Sequence, residues 1–326
     1  MIGCQISGGL GNQFFRYAVA RAFMERRKAT RKGKETMLIT GLLNTHGVSG
    51  NLYDFNVVEH IQCDNKRLVM VHGSLLQRIA FASDRVLRRV LNRMSPPPSL
   101  KHSYNDLSRK LLAKLGLVSS YSPDTEPIYL PSSNVDKVFT FGSFEKVDYF
   151  LGIEDVLKKE FTPVHPCIKA NEKLYQVIRN TNSVCLAIRR GDFMNDVNKK
   201  IFYVCDLEYF QRGVDYIKKH VENPVFIVFS NDIDWVKANL NIDSEVYFES
   251  GKDPVWETFR LMYSCKHFVI SNSTLHWWAQ WRSENKEKIV VAPERWYNDP
   301  SWNEHLMLDY FVRMPTGVKN PYVSSK

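Results

Sequence analysis

No apolar run in the chain is long enough to span a bilayer, which excludes a membrane-spanning helix. The opening residues, Met1-Ile2-Gly3-Cys4-Gln5-Ile6-Ser7-Gly8-Gly9-Leu10, are too short and too glycine-rich for a secretory signal. The cysteines stand at 4, 63, 167, 185, 205 and 265, without CxxC or other metal-ligand spacing, and read as reduced packing residues in a cytoplasmic, soluble protein. Zinc-finger spacing, an aromatic RNA-binding signature and aromatics interleaved with the basic clusters are all missing, which argues against a nucleic-acid partner. No internal repeat is evident.

What is present is a globular composition, 44% hydrophobic and 24% charged over 326 residues, a length that suits two domains. The net charge of +9 favours acidic partners: nucleotide, nucleic acid or an anionic membrane face. One basic cluster comprises Arg26, Arg27, Lys28, Arg31, Lys32 and Lys34; another comprises Arg78, Arg85, Arg88, Arg89 and Arg93. In the second, Leu75, Leu76, Ile79, Val86, Leu87, Val90 and Met94 recur at helical spacing. A basic amphipathic helix of this kind can lie on acidic lipid, but the stripe is expected to pack on its own domain.

Ile2 to Ile6 reads as a strand, Ser7 to Asn12 as a glycine turn, and Gln13 to Arg27 as a helix. The turn invites comparison with a dinucleotide fold, but Phe14 stands where the third glycine of that fingerprint belongs. A nicotinamide-dependent enzyme is therefore one of the alternative readings, as is a noncatalytic anion-binding protein. Residues 40 to 135 say less: Ser95-Pro96-Pro97-Pro98-Ser99 is a stiff break, and Ser119 to Ser133 reads as loop. A strand at Val138 to Phe141, a helix at Leu151 to Phe161 and a connector at 162–166 follow. Strands at 184–188, 225–229, 246–248, 267–270 and 289–291 then alternate with helices near 207–220, 232–240, 254–264 and 274–284, which predicts a second doubly wound domain. The expected division is 1–160, 161–300 and a tail at 301–326.

The densest chemistry lies at Val184 to Phe193, where an apolar run stops at Arg189, Arg190, Gly191 and Asp192. If 184–188 is a buried parallel strand, both arginines sit at its carboxyl end, where open α/β sheets bind ligands. Two guanidiniums there suit a diphosphate. An ordinary ion-paired surface, with Asp192 as partner, is the plainer alternative. The next strand ends in Ser230, Asn231 and Asp232, and a later one in Ser271, Asn272, Ser273 and Thr274 at a helix start. The hydroxyls can cap the helix or donate to phosphate. Asp232 and Asp234 have a spacing found in some metal sites, but they are read as capping and entering a helix, and no metal is expected.

Six blocks together resemble the bacterial α-1,2-fucosyltransferases of glycosyltransferase family 11: I-S-G-G-L-G-N-Q-F-F-R-Y-A at 6–18, G-S-F-E-K-V-D-Y-F at 142–150, A-I-R-R-G-D-F at 187–193, F-I-V-F-S-N-D-I-D-W at 226–235, M-Y-S-C-K-H-F-V-I-S-N-S-T-L-H-W-W-A-Q-W at 262–281, and I-V-V-A-P-E-R-W-Y at 289–297. The resemblance implies a GT-B scaffold of two facing Rossmann-like α/β domains, the first on the acceptor side and the second holding the nucleotide sugar. It implies metal-independent, inverting transfer of L-fucose from GDP-β-L-fucose to a galactose 2-hydroxyl, in cell-surface glycan synthesis. By position, Arg189 and Arg190 would bind the diphosphate and stabilise departing GDP, and Asp192 would orient that pair or contact the nucleotide. Asp232, beside Asn231, would read guanine; Ser273 and Thr274, with Ser271 and Asn272, would touch phosphate. Gly11 and Asn12 would approach the fucosyl-diphosphate. A lipid-linked, galactose-terminated acceptor would suit the basic balance, with the segment around Arg78 to Arg93 docking on an anionic membrane.

The chain departs from the family pattern at Ala187, where histidine is usual, so no histidine there can serve as general base; Asp192 and Glu145 are the carboxylates left for that role. Leu275-His276 replaces an aromatic-serine pair.

Overall fold

The computed structural model describes residues 1–28, 35–41, 52–57, 61–62, 67–95, 98–120, 128–131, 134–299 and 305–322. Arg31, Lys32, Lys34, Cys63, Pro96 and Pro97 lie outside them. The backbone divides into two units, Met1–Val48 with Val57–Glu160, and Ser49–Asn56 with Phe161–Lys326.

The first unit runs β1 (Ile2–Ile6), α1 (Leu10–Lys28), β2 (Met37–Gly41), β3 (Ile61–Gln62), α2 (Leu68–His72), α3 (Leu75–Met94), α4 (Pro98–Lys114), β4 (Leu117–Ser120), β5 (Val138–Gly142) and α5 (Glu154–Glu160). Its five strands are parallel, in the order β3-β2-β1-β5-β4. Gly8 takes φ +80°, and the Gly9 carbonyl accepts from the N–H groups of Asn12 and Gln13 at 3.0 and 3.1 Å. The helix thus begins at Leu10, three residues before the sequence suggests, and Gly11 and Asn12 belong to its first turn rather than to a loop. Ser119 and Ser120, read as loop, are buried in β4.

The amphipathic segment forms α3, opened by a reciprocal cap: Gln77 N–H donates to Ser74 Oγ at 3.2 Å and Ser74 N–H to Gln77 Oε1 at 2.9 Å. Its facing is the reverse of the expectation. Leu75 is 74% exposed and Met94 70%, and Leu76, Ile79, Val86, Leu87 and Val90 are exposed as well. The inward face is set by Gln77, Phe81 and Asp84. Gln77 Nε2 donates to the carbonyls of Leu115 and Lys137 at 2.7 and 2.8 Å. Asp84 accepts from Arg88 at 2.8 Å, from Tyr104 of α4 at 3.1 Å and from Ser108. These satisfied buried polar groups fix the helix's rotation, since turning the stripe inward would leave them unpaired.

The second unit runs α6 (Glu172–Asn180), β6 (Asn182–Ile188), α7 (Asp196–Phe202), α8 (Leu207–His220), β7 (Pro224–Ser230), α9 (Ile233–Asn239), β8 (Val246–Phe248), α10 (Val255–Ser264), β9 (His267–Ile270), α11 (Thr274–Arg282), β10 (Val290–Pro293) and β11 (Val312–Met314). Its six strands are parallel, in the order β11-β10-β9-β6-β7-β8. Val184, Leu186 and Ile188 of β6 are buried with Val269, Val291 and the Tyr209, Val214 and Ile217 side of α8. Each such aliphatic side chain contributes about 1.5–3 kcal/mol by leaving water.

Two boundaries differ from the sequence reading. The stretch 301–326 is no mere tail: β11 pairs with β10, and Trp277 Nε1–H donates to the Leu306 carbonyl at 2.9 Å while Leu306, Met307 and Phe311 are buried. Residues Ser49–Asn56 group with the second unit, because Val164 N–H donates to the Asp54 carbonyl at 2.8 Å, Asn56 N–H to the Thr162 carbonyl at 3.0 Å, and the Phe55 ring meets Phe259 edge-on at 5.8 Å. Of the described cysteines, all free, Cys4, Cys185, Cys205 and Cys265 are buried, but Cys167 is exposed and so is not the packing residue expected.

Candidate active site

In the second sheet the chain moves outward from β6 through β7 to β8, then crosses back to β9 on the other side of β6. That reversal places the loops after β6 and β9 side by side at the carboxyl edge, the position where doubly wound sheets bind ligands. Arg189 N–H donates to Ser271 Oγ at 2.9 Å, and Ser271 Oγ–H donates to the Ala187 carbonyl at 3.0 Å, so one hydroxyl clasps the two loops. Arg190 N–H donates to Asn231 Oδ1 at 2.9 Å, adding the loop after β7. Gly191 has φ +31°, and a Cβ there would stand 2.0 Å from Asn231 Nδ2, so the turn requires glycine.

The two guanidiniums are held differently. Arg189 Nη2 pairs with Asp192 Oδ1 at 2.7 Å, half-exposed, with its Cζ 5.8 Å from the Phe193 ring centre. Arg190 is only 14% exposed: its Nε donates to Asp232 Oδ2 at 3.0 Å and its Cζ lies 3.4 Å from the centre of the Trp235 ring. Stacking fixes the plane of the guanidinium and Asp232 fixes its rotation. Among the described residues neither Nη of Arg190 makes a hydrogen bond. The result is a preorganised two-pronged donor, suited to an anion with paired oxygens.

The structure therefore brings together Arg189, Arg190, Asp192, Asn231, Asp232 and Ser271. Asp232 takes the N-cap position of α9 but makes no side-chain cap bond, because its carboxylate is engaged by Arg190. Asn272 points away from any ligand role: it is buried, and its Nδ2 donates to the carbonyls of Phe202 and Trp296, both at 2.8 Å. Ser273 is the N-cap residue of α11 without a side-chain cap bond, and Thr274 opens that helix. Gly11 and Asn12 belong to the first unit, after β1. Among the described residues no three His, Cys, Asp or Glu side chains cluster as a metal site would require.

Trp235 was not singled out as a site residue from sequence. Its three-residue offset from Asp232 was the available signal, masked by its plain reading as helix packing. His276, on the first turn of α11, is buried, and its Nδ1 has no hydrogen-bond partner among the described residues. Burial, then the nearby Arg189 charge, pushes its pKa down to about 3. The unfolded chain, with an ordinary histidine near 6.5, binds a proton that the folded protein refuses between those values. Stability is thus lost as pH falls from about 6.5, at up to about 1.4 kcal/mol per pH unit from this group. Urea unfolding at pH 5 and pH 7 should show a smaller difference in His276→Ser than in the parent; an equal difference would contradict the assignment.

A fixed guanidinium fork at the switch point of a doubly wound sheet defines an anion-binding α/β site of the kind that holds activated, phosphate-bearing substrates. The model of glycosyl transferase family 11 matches residues 1–309, and the chain belongs to that family. Its two doubly wound, parallel-sheeted units match the α/β fold class expected from the sequence, and the nicotinamide reading is set aside. An alpha-1,2-colitosyltransferase of Escherichia coli is 35% identical over 167 residues, covering 50% of this chain and 57% of that protein. The Escherichia coli O-antigen biosynthesis glycosyltransferase WbnK is 31% identical over 124 residues, 37% of this chain and 41% of that one. The human galactoside alpha-(1,2)-fucosyltransferase 1 is 27% identical over 143 residues, 40% and 39% respectively. The matched stretches thus span from about two fifths to just over half of these relatives' lengths. No helix among the described residues is long and apolar enough to cross a membrane.

Proposed function

We propose that the protein transfers L-fucose from GDP-β-L-fucose to the 2-hydroxyl of a galactose-terminated acceptor, with inversion, in cell-surface glycan synthesis. The observation that carries this reading is the Arg190 fork, held on Trp235 and Asp232 with both terminal nitrogens available. The acceptor oxygen forms a bond to the sugar's C1 as its proton passes to a general base, while the C1–O bond to the diphosphate breaks and the leaving electron pair stays on the diphosphate. Arg190, with Arg189, donates to the oxygens where that negative charge grows. Asp192 is tied to Arg189, which suits an orienting role better than proton removal. Leaving-group charge is assigned to guanidinium rather than to a metal ion.

A second donor is favoured by one finding: the 35% identical relative is named for transfer of colitose, not fucose. Incubation with GDP-fucose or a colitose nucleotide, over a panel of galactosides and with EDTA present, distinguishes the two. The expected product is a fucosylated galactoside whose NMR spectrum shows the α-1,2 linkage, formed equally well in EDTA. Turnover with the colitose donor alone would overturn the donor assignment, and loss of turnover in EDTA would overturn the charge assignment.

A further inference from the structure

The first unit contains a feature that the donor site does not use. At the carboxyl ends of β1, the central strand, and its neighbour β5 lies a cavity of about 400 Å³ lined by Arg16, Arg67, Arg85, Arg88 and Arg89 with Gln5, Asn92 and the rings of Phe81 and Phe141. Among the described residues no carboxylate lines it. The Nε of Arg16 is buried there without a hydrogen-bond partner among the described residues. The guanidinium nitrogens of Arg88 are taken by Asp84, Asn105 and Ser108, which leaves four guanidiniums, from α1, α2's leading residue and α3, around one hollow on the strand ends where such sheets bind ligands; these call for a multiply charged anion. Arg85 and Arg67 also lie over the Phe81 ring, with Cζ 5.9 and 5.7 Å from its centre, so part of the lining is held in place before a ligand arrives.

The same helix identifies the source of that anion. Arg85, Arg88 and Arg89 are on α3, and its exposed apolar stripe lies beside them: Val86 is three residues before Arg89, and Val90 three before Arg93, spacings that make them surface neighbours. On α4, packed against α3, Leu107 and Leu111 are exposed one turn apart. A phosphate pocket bordered by an uncovered apolar helix face matches a molecule with a phosphate head and a hydrocarbon body, and a freely soluble phosphate would leave the stripe unexplained. We propose that the first unit binds the phosphate group of an anionic lipid, the arginine cavity taking the phosphate while the α3 stripe enters the acyl layer. This goes beyond the donor reading and stands without it.

The test is flotation of the full chain with vesicles of phosphatidylcholine alone or phosphatidylcholine containing phosphatidic acid, at low salt. Binding is expected only with phosphatidic acid. Two separate variants are expected to lose it: Arg85→Gln with Arg89→Gln, by roughly thirtyfold in partition coefficient given the usual strength of two basic side chains at an acidic surface, and Leu76→Ser with Leu87→Ser, whose positions are exposed and leave the fold intact. Circular dichroism checks both, and Arg89→Gln alone, also at an exposed position, replaces the arginine pair if that pair misfolds. Calorimetric titration with inorganic diphosphate separates the sources. Tight binding of diphosphate with no flotation would assign the cavity to a soluble anion and overturn the lipid. Absence of flotation on phosphatidic acid, or flotation undiminished by both variants, would overturn the proposal as well. GDP-fucose turnover by either variant on a soluble galactoside reports the donor reading separately.

Discussion

Arg190→Ala is expected to lower turnover at saturating donor by two to three orders of magnitude, about 3–4 kcal/mol of transition-state stabilisation, with an unchanged circular-dichroism spectrum. The size follows from how the side chain is held. A flexible surface arginine would lose entropy on meeting the diphosphate, but Arg190 is already stacked on Trp235 and anchored through Nε to Asp232, so its terminal donors are in place before the charge develops. Arg190→Lys restores the charge without the fork or the stacked plane, and should rescue little. Trp235→Leu leaves the charge and the fork and removes only the platform; its loss should be smaller than that of either Arg190 variant. Near-normal turnover in Arg190→Ala would remove this residue from the chemistry, and rescue by lysine would show that charge alone suffices.

The second large effect concerns stability. Glu257→Ala should destabilise the protein by about 3–5 kcal/mol, a drop in melting midpoint on the order of 10 °C. Glu257 of α10 is wholly buried and accepts from Ile168 N–H at 3.1 Å, Asn171 Nδ2 at 3.2 Å and Arg260 Nη1 at 3.1 Å. Arg260 in turn donates to the carbonyls of Pro163 and His165 and lies 5.3 Å from the Trp256 ring centre. One carboxylate therefore fastens the segment entering the second unit to its helix layer. Removing it takes the carboxylate partner from a largely buried guanidinium and strands the Ile168 N–H, while Asn171 keeps its bond to Asp253. Thermal unfolding followed by circular dichroism measures the shift; a change of a degree or two would mean that water replaces the carboxylate without cost.

These two sites differ in how far they could be read from sequence. Arg189 and Arg190 were legible because a buried parallel strand is apolar throughout, so the point where charge begins marks its carboxyl end. The second unit's strands and helices were legible for the same reason of regular alternation. The fork itself was not. Asp232 lies in the loop after β7 and Trp235 in the helix α9 that follows it, and only the parallel pairing of β6 with β7 brings them to Arg190. Periodicity shows that α3 is amphipathic but not which side faces water, and that choice was made by Gln77 and Asp84, polar residues whose partners lie up to 60 positions away. Asn272 was misread because a polar residue after a strand looks alike whether it serves a ligand or two backbone carbonyls. The strands β4 and β11 were not legible because Ser119 and Ser120 in one and Arg313 in the other leave only two apolar residues each.

The most direct measurement is a crystal structure with GDP bound. The diphosphate oxygens should lie about 3 Å from the terminal nitrogens of Arg190, with the Trp235 stack and the Asp232 contact retained. A diphosphate bound elsewhere, with Arg190 still without a ligand, would contradict the assignment of leaving-group stabilisation to this side chain.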